Sequence, residues 1–184
     1  MPRAAIVGVG RHGSGYTAEM LTAAGIDCGH EAWWHPLDEP RRDCVADSSW
    51  LAVPDLLGTR FDGPIVLQVR DPLATITSLV RAPDWGPYLT VRQGLVPPCD
   101  DLLEFAVDTW CRWTQACLRL DPWAIWDLDL LPGAAEATQL AGWLDVEVVD
   151  PGPVGVVNRH HNEPPVTLTD EQAARVDRVW REIK

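Results

Sequence analysis

Four glycines fall within eight residues near the start of the chain: Gly8, Gly10, Gly13 and Gly15. Among and just after them stand side chains able to donate hydrogen bonds, namely Arg11, His12, Ser14, Tyr16 and Thr17. A short apolar run precedes the glycines, suited to a buried strand and too short for a helix. After them Tyr16, Met20, Leu21 and Ala24 recur at helical spacing near one face. A strand that turns through glycines into a helix aims backbone N–H groups into one concavity, and the helix adds its partial positive end. The chemistry this suggests is the binding of a phosphate or sulfate ester. The same residues also describe a plain strand–turn–helix corner.

The spacing Gly10-xxxx-Gly15, with Thr17 two places on, has the outline of a nucleotide triphosphatase loop. Tyr16, however, stands where that loop needs the lysine that reaches the β- and γ-phosphates. The basic residue here is Arg11, earlier in the loop. A second basic residue, Arg70, ends the clearest strand pattern, Pro64–Arg70. Asp71 and Pro72 then read as a helix cap and a first helical residue, and Ser78 lies in that helix. A guanidinium offers a planar fork to phosphate oxygens, and Ser78 adds a hydroxyl. The bland alternative is an arginine paired with a carboxylate and a solvated serine. Glu31 closes a short strand pattern, Ile26–Glu31, just after Gly29-His30. Glu31, then His30, then His35 are the candidate proton acceptors. For Glu31, a solvated carboxylate at a strand end is the competing reading.

In this order the two motifs resemble those of the PAPS-dependent sulfotransferases (PAPS is 3′-phosphoadenosine 5′-phosphosulfate; PAP is the desulfated product). The family's loop runs roughly Pro-Lys/Arg-Ser-Gly-Thr-Thr-Trp. Gly10 lies at its proline, Arg11 at the basic residue and His12 at the serine. Gly13 matches the glycine, Ser14 and Gly15 fall at the threonines, and Tyr16 replaces the aromatic. His12 and Gly15 depart from the pattern by removing hydroxyl donors. The resemblance is carried by residues 3–81 and is loose beyond them. It implies that Gly10, Arg11, His12, Gly13, Ser14, Gly15 and Tyr16 cradle the 5′-phosphosulfate of PAPS. It further implies that Arg70 and Ser78 hold the 3′-phosphate. A late basic segment would add a contact, for which Arg159 is the candidate, although the family's Arg-Lys-Gly pattern is absent. Arg11 would stabilise the leaving phosphate, Glu31 or His30 would serve as base, and no metal is expected. The acceptor would be a hydroxyl or amine of a small molecule or carbohydrate. Two other readings stay open: a P-loop kinase-like nucleotide-binding enzyme, and a catalytically inactive PAP-binding module of the same fold.

The elements that must position these groups follow from the rest of the pattern. A helix is expected from Asp71-Pro72 to about Arg81, and a long loop at 82–98 carries Trp85 and Tyr88. The longest helix, capped by Asp100 or Asp101, runs to about Leu120. A strand is expected over Pro122–Leu128, a helix over Gly133–Leu144 and a short strand over Val146–Val149. A final helix starts at Thr169-Asp170. Asp47–Ala52 reads as a short capped helix. Strands alternating with helices imply a P-loop NTPase-like α/β fold, a parallel sheet with helices on both faces. Gly10, Glu31 and Arg70 would then meet beyond the carboxyl ends of the strands. A chain of 184 residues fits one domain. Its formal net charge of -12, with no basic stripe, speaks against nucleic acid, and no apolar run reaches membrane-spanning length. The first strand pattern begins directly, leaving no expected signal peptide. The five cysteines are scattered without CxxC pairs, which suits reduced thiols in a cytoplasmic protein. The ten tryptophans are expected mainly in core and cleft walls.

Overall fold

The structure is a computed structural model, and it describes residues 1–34, 42–82, 94, 96, 99–130, 133–154 and 164–184. Five strands form one parallel sheet. In chain order they are β1 (Ala4–Val7), β2 (Cys28–His30), β3 (Ala46–Ser48), β4 (Ile65–Val69) and β5 (Ala124–Asp127). Across the sheet the order is β2-β3-β1-β4-β5. β1 therefore lies in the middle, with Ala5 paired to Asp47 on one side and to Ile65 on the other. All four residues of β1 are buried, as a continuous apolar run between two helical layers should be.

The period of two along the strands divides the core. Ala5 and Val7 of β1, with Leu67 and Val69 of β4, face one layer. That layer consists of α2 (Ala52–Gly58), α3 (Pro72–Arg81), α4 (Leu102–Leu118) and α6 (Asp170–Ile183). Ala4, Ile6, Val66 and Trp126 face the other layer. There α1 (Ser14–Ala23) and α5 (Ala134–Leu144) bring Met20, Leu21, Leu140 and Leu144. Burying each such side chain stabilises the fold by about 1.5–3 kcal/mol.

Local chemistry sets the helix ends. Asp71 caps α3 by accepting from the Ala74 amide at 2.7 Å, with Pro72 first in the helix. Asp101, the second of the two expected candidates, caps α4 through the amides of Leu103 and Glu104 at 2.9 and 3.0 Å. Thr169 and Gln172 form a reciprocal capping box at the start of α6. Glu104 of α4 then receives Gln172 and Arg175 of α6 at 2.9 and 2.6 Å, which locks these two helices together.

Two expected elements differ. Asp47 does not cap a helix; it sits inside β3, and α2 begins only at Ala52. The carboxylate is fully buried, and it accepts the amides of Ala32, Trp33 and Trp34 at 3.0, 3.0 and 3.2 Å. It thereby satisfies the turn that leaves β2, a tertiary task that displaces the local capping role. Val146–Val149 joins no strand of the sheet. Its Val146 and Val149 amides bond instead to the carbonyls of Ala141 and Ala24, so the segment straps α5 to α1.

Candidate functional site

The loop between β1 and α1 is held from below by Gln68 of β4, which is 1% exposed. The Gln68 amide nitrogen donates to the carbonyls of His12 and Gly13 at 3.2 and 3.4 Å, and its oxygen accepts from Thr17 Oγ1 at 2.5 Å. Gly8 packs directly on this strand: a Cβ there would lie 2.5 Å from the Gln68 carbonyl and 2.7 Å from the His12 ring. Gly13 has φ +98, and a Cβ on it would meet Leu128 Cδ2 at 2.3 Å. Both positions demand glycine, one for close approach and one for its backbone. Gly13 is also the residue before α1, so no side chain caps that helix, and no acidic residue stands in its first turn. The first-turn N–H groups of Ser14 and Gly15 have no intrahelical acceptor and lie beyond the carboxyl end of β1.

Arg11 has φ 70, a left-handed backbone that a side chain adopts only under constraint. From there its Nε donates to Ser78 Oγ at 3.2 Å, across 67 residues of sequence. The glycine loop and the α3 segment thus meet side chain to side chain. Ser78 keeps its own O–H for a further acceptor. Arg70 follows β4 directly, with its side chain 12% exposed and its Nε 3.6 Å from Asp129 Oδ1. Asp129 Oδ2 also accepts the Asp71 amide at 2.6 Å. The sequence alternative for Arg70, pairing with a carboxylate, is thus realised in this structure.

On the other side of the loop, Ser14 Oγ lies 2.9 Å from His30 Nε2. The same nitrogen is 3.7 Å from Glu31 Oε1. Glu31 stands one residue beyond β2 with φ 54, and its amide donates to the Ser48 carbonyl at 3.2 Å. An imidazole with a carboxylate beside it thereby stands against the first residue of α1. Gly15 faces this pair, since a Cβ there would sit 3.8 Å from the His30 ring. Gly10 lies against the Trp50 indole, 3.5 Å from where its Cβ would be.

His12 points into the fold and is 1% exposed. Its Nδ1 donates to the Val9 carbonyl, which leaves Nε2 as a lone-pair acceptor with no partner among the described residues. Burial, with His30 nearby adding to it, lowers its pKa from 6.5 to about 4. It and Arg70 line one small cavity together with Trp110 and Trp180. The Tyr16 phenol is pushed up by burial and then by Glu136, so it remains a neutral O–H.

Of the residues singled out in sequence, the structure brings Arg11 to Ser78 and Ser14 to His30 and Glu31. Arg159 and His35, and nearly all of the loop at 82–98, lie outside the described residues. Trp34 is core at 6% exposure, with Trp33 packed against that cluster. Three residues of consequence were not anticipated: Gln68, Asp47 and Asp129. Only Gln68 carried a signal, being a polar residue amid Ile-Val-Leu-Gln-Val.

These elements define a class, an α/β protein whose parallel sheet lies between two helical layers, with its loops converging at the strands' carboxyl ends. Among solved structures it is similar to a sulfotransferase from Alicyclobacillus acidocaldarius, over 100% of this chain and 96% of that one, with a TM-score of 0.52 and 13% identity. The chain has a sulfotransferase-like fold. No protein-family model matches it, and no curated protein matches it significantly. Among the described residues no helix is long and apolar enough to cross a membrane.

Proposed function

We propose that the chain is a PAPS-dependent sulfotransferase acting on a hydroxyl or amine of a small molecule or carbohydrate. The observation that carries this is the 3.2 Å contact between Arg11 and Ser78 beside the uncapped start of α1. The residues suit a doubly phosphorylated nucleotide. One end offers the amides that open α1, next to a glycine whose backbone a side chain could not follow. The other offers the Arg70 fork and the Ser78 hydroxyl. PAPS, when bound, would supply an activated sulfuryl group on its 5′-phosphate.

In this reading the amides of Ser14 and Gly15 bind the 5′-phosphate. Arg11 neutralises charge as the S–O bond to that phosphate breaks. Arg70 and Ser78 hold the 3′-phosphate, and Arg159 is proposed as a further contact. Glu31 or His30 takes the acceptor's proton as the new bond to sulfur forms. The Ser14–His30 contact ties this base to the donor loop. The test is calorimetric titration with PAP in the absence of Mg²⁺, followed by sulfate transfer from PAPS to a panel of hydroxyl and amine acceptors. Arg11→Ala should weaken PAP and abolish turnover. Glu31→Gln should slow transfer about 10²–10⁴-fold with PAP affinity retained. Full rate in Glu31→Gln moves the base to His30. Failure of the wild type to bind PAP removes the proposal.

A catalytically inactive PAP-binding module is the second reading. It is favoured by the His12 ring, which bonds to Val9 inside the fold instead of offering a hydroxyl to the loop. Tight PAP binding without transfer to any acceptor would establish it.

A further inference from the structure

Asp129 lies on a 3₁₀ turn, Leu128–Leu130, that follows β5. The turn is held by the Asp129 amide donating to Asp127 Oδ1 at 3.0 Å. From it the Asp129 carboxylate reaches across to the end of β4, taking the Asp71 amide at 2.6 Å and standing 3.6 Å from Arg70 Nε. A guanidinium beside a helix-terminal amide is a donor pair suited to an anion. Here the anion is one of the chain's own carboxylates. The two partners are unequally fixed. The Arg70 side chain is 12% exposed, while that of Asp129 is 46% exposed. The arginine must stay, whereas the carboxylate can turn to water without leaving a buried charge of its own.

We infer that Asp129 is a specificity-determining residue, an internal counter-ion that an incoming 3′-phosphate must push aside to reach Arg70. This rests on the reading of Arg70 as the 3′-phosphate contact. In the free protein Asp129 keeps a nearly buried guanidinium paired, which removes the cost of leaving it bare. In the complex it stands as a like charge beside the phosphate. Its effect is to hold down affinity for the 3′-phosphorylated nucleotide relative to the same nucleotide with a free 3′-hydroxyl.

The experiment compares PAP with AMP on wild type, Asp129→Asn and Asp129→Ala by calorimetry, with thermal melts to verify folding. Asn keeps an oxygen for the Asp71 amide and removes only the charge. Asp129→Asn should bind PAP at least about tenfold more tightly, toward the lower end of what one unit charge at short range is worth between bulk water and a protein surface, with AMP affinity unchanged. Asp129→Ala should shift the PAP-to-AMP ratio in the same direction. The gap between wild type and Asp129→Asn should narrow as salt is raised. A wild type that prefers PAP, with a ratio that Asp129→Asn leaves unchanged or lowers, overturns the inference and leaves the function standing. No preference for PAP in any of the three proteins removes Arg70 as the 3′-phosphate reader, and the inference with it.

Discussion

At the scale of single residues, the glycine loop is held by steric and electrostatic constraints that can be separated. Gly13 combines a positive φ with a side-chain wall, so Gly13→Ala should destabilise the fold on the order of 3 kcal/mol, from backbone strain and overpacking together. Urea unfolding measures this; a loss under 1 kcal/mol would mean that Leu128 yields freely. His12 makes a different prediction. Its folded pKa of about 4 lies below the ordinary 6.5 of a histidine, so between those values the unfolded chain binds more protons than the folded one. Stability should therefore be complete above pH 6.5 and decline as pH falls toward 4. His12→Asn can still donate to Val9 but does not titrate, so its stability profile should be flatter than wild type across that interval. Parallel profiles would show that His12 takes up its proton as readily in the fold as in the unfolded chain. The residue types and spacing of Arg11, Arg70 and Ser78 could be read from sequence, and their proposed chemistry rests on them. Their partners were not, because Arg70–Asp129 and Arg11–Ser78 join segments that only the sheet order brings together.

At the scale of elements, the β1–loop–α1 and β4–α3 units were legible for one physical reason: each contains its own start and stop signals. Glycines follow β1, and Asp71-Pro72 follows β4. β3 was not legible. Three residues are too few to show alternation, and Asp-Ser-Ser imitates a helix cap. What makes Asp47 a strand residue is its hold on the amides of residues 32–34, a contact invisible without the fold. Val146–Val149 has strand-forming residues but pairs with helix-end carbonyls and with none of the described strands, so propensity alone misleads there. Asp47 also links architecture to chemistry, because the turn it satisfies is the one that presents Glu31. Asp47→Ala leaves three amides without their acceptor and should cost on the order of 3 kcal/mol. Asp47→Asn keeps one acceptor oxygen and should cost about half of that. Under the proposed function both should slow sulfate transfer more than they weaken PAP, since the turn presents the proposed base and not the nucleotide contacts. Equal losses in both measurements would mean that the β2 turn also shapes the donor loop.

At the scale of the whole molecule, an acidic chain is proposed to bind an anionic nucleotide. A net charge of -12 repels such a ligand at long range, and attraction must come from groups within a few ångströms. Near the carboxyl edge of the sheet, among the described residues, Arg11 and Arg70 stand against Glu31, Asp71 and Asp129. The local balance is thus no positive funnel, and affinity must rest on directed donors: the first turn of α1, the guanidinium fork and the Ser78 hydroxyl. Salt separates the two ranges. At an ionic strength of about 0.01 M the Debye length is about 30 Å, and at about 0.15 M it is about 8 Å. Over that range the association rate of PAP should rise, by roughly threefold, because screening removes the repulsion of the distant carboxylates. The dissociation rate should change less, being set by contacts too close to screen. Stopped-flow binding at a series of salt concentrations reads both rates. An association rate that falls with salt would instead mean that the site attracts nucleotide at long range, and that the arginines outweigh the acidic surface around them.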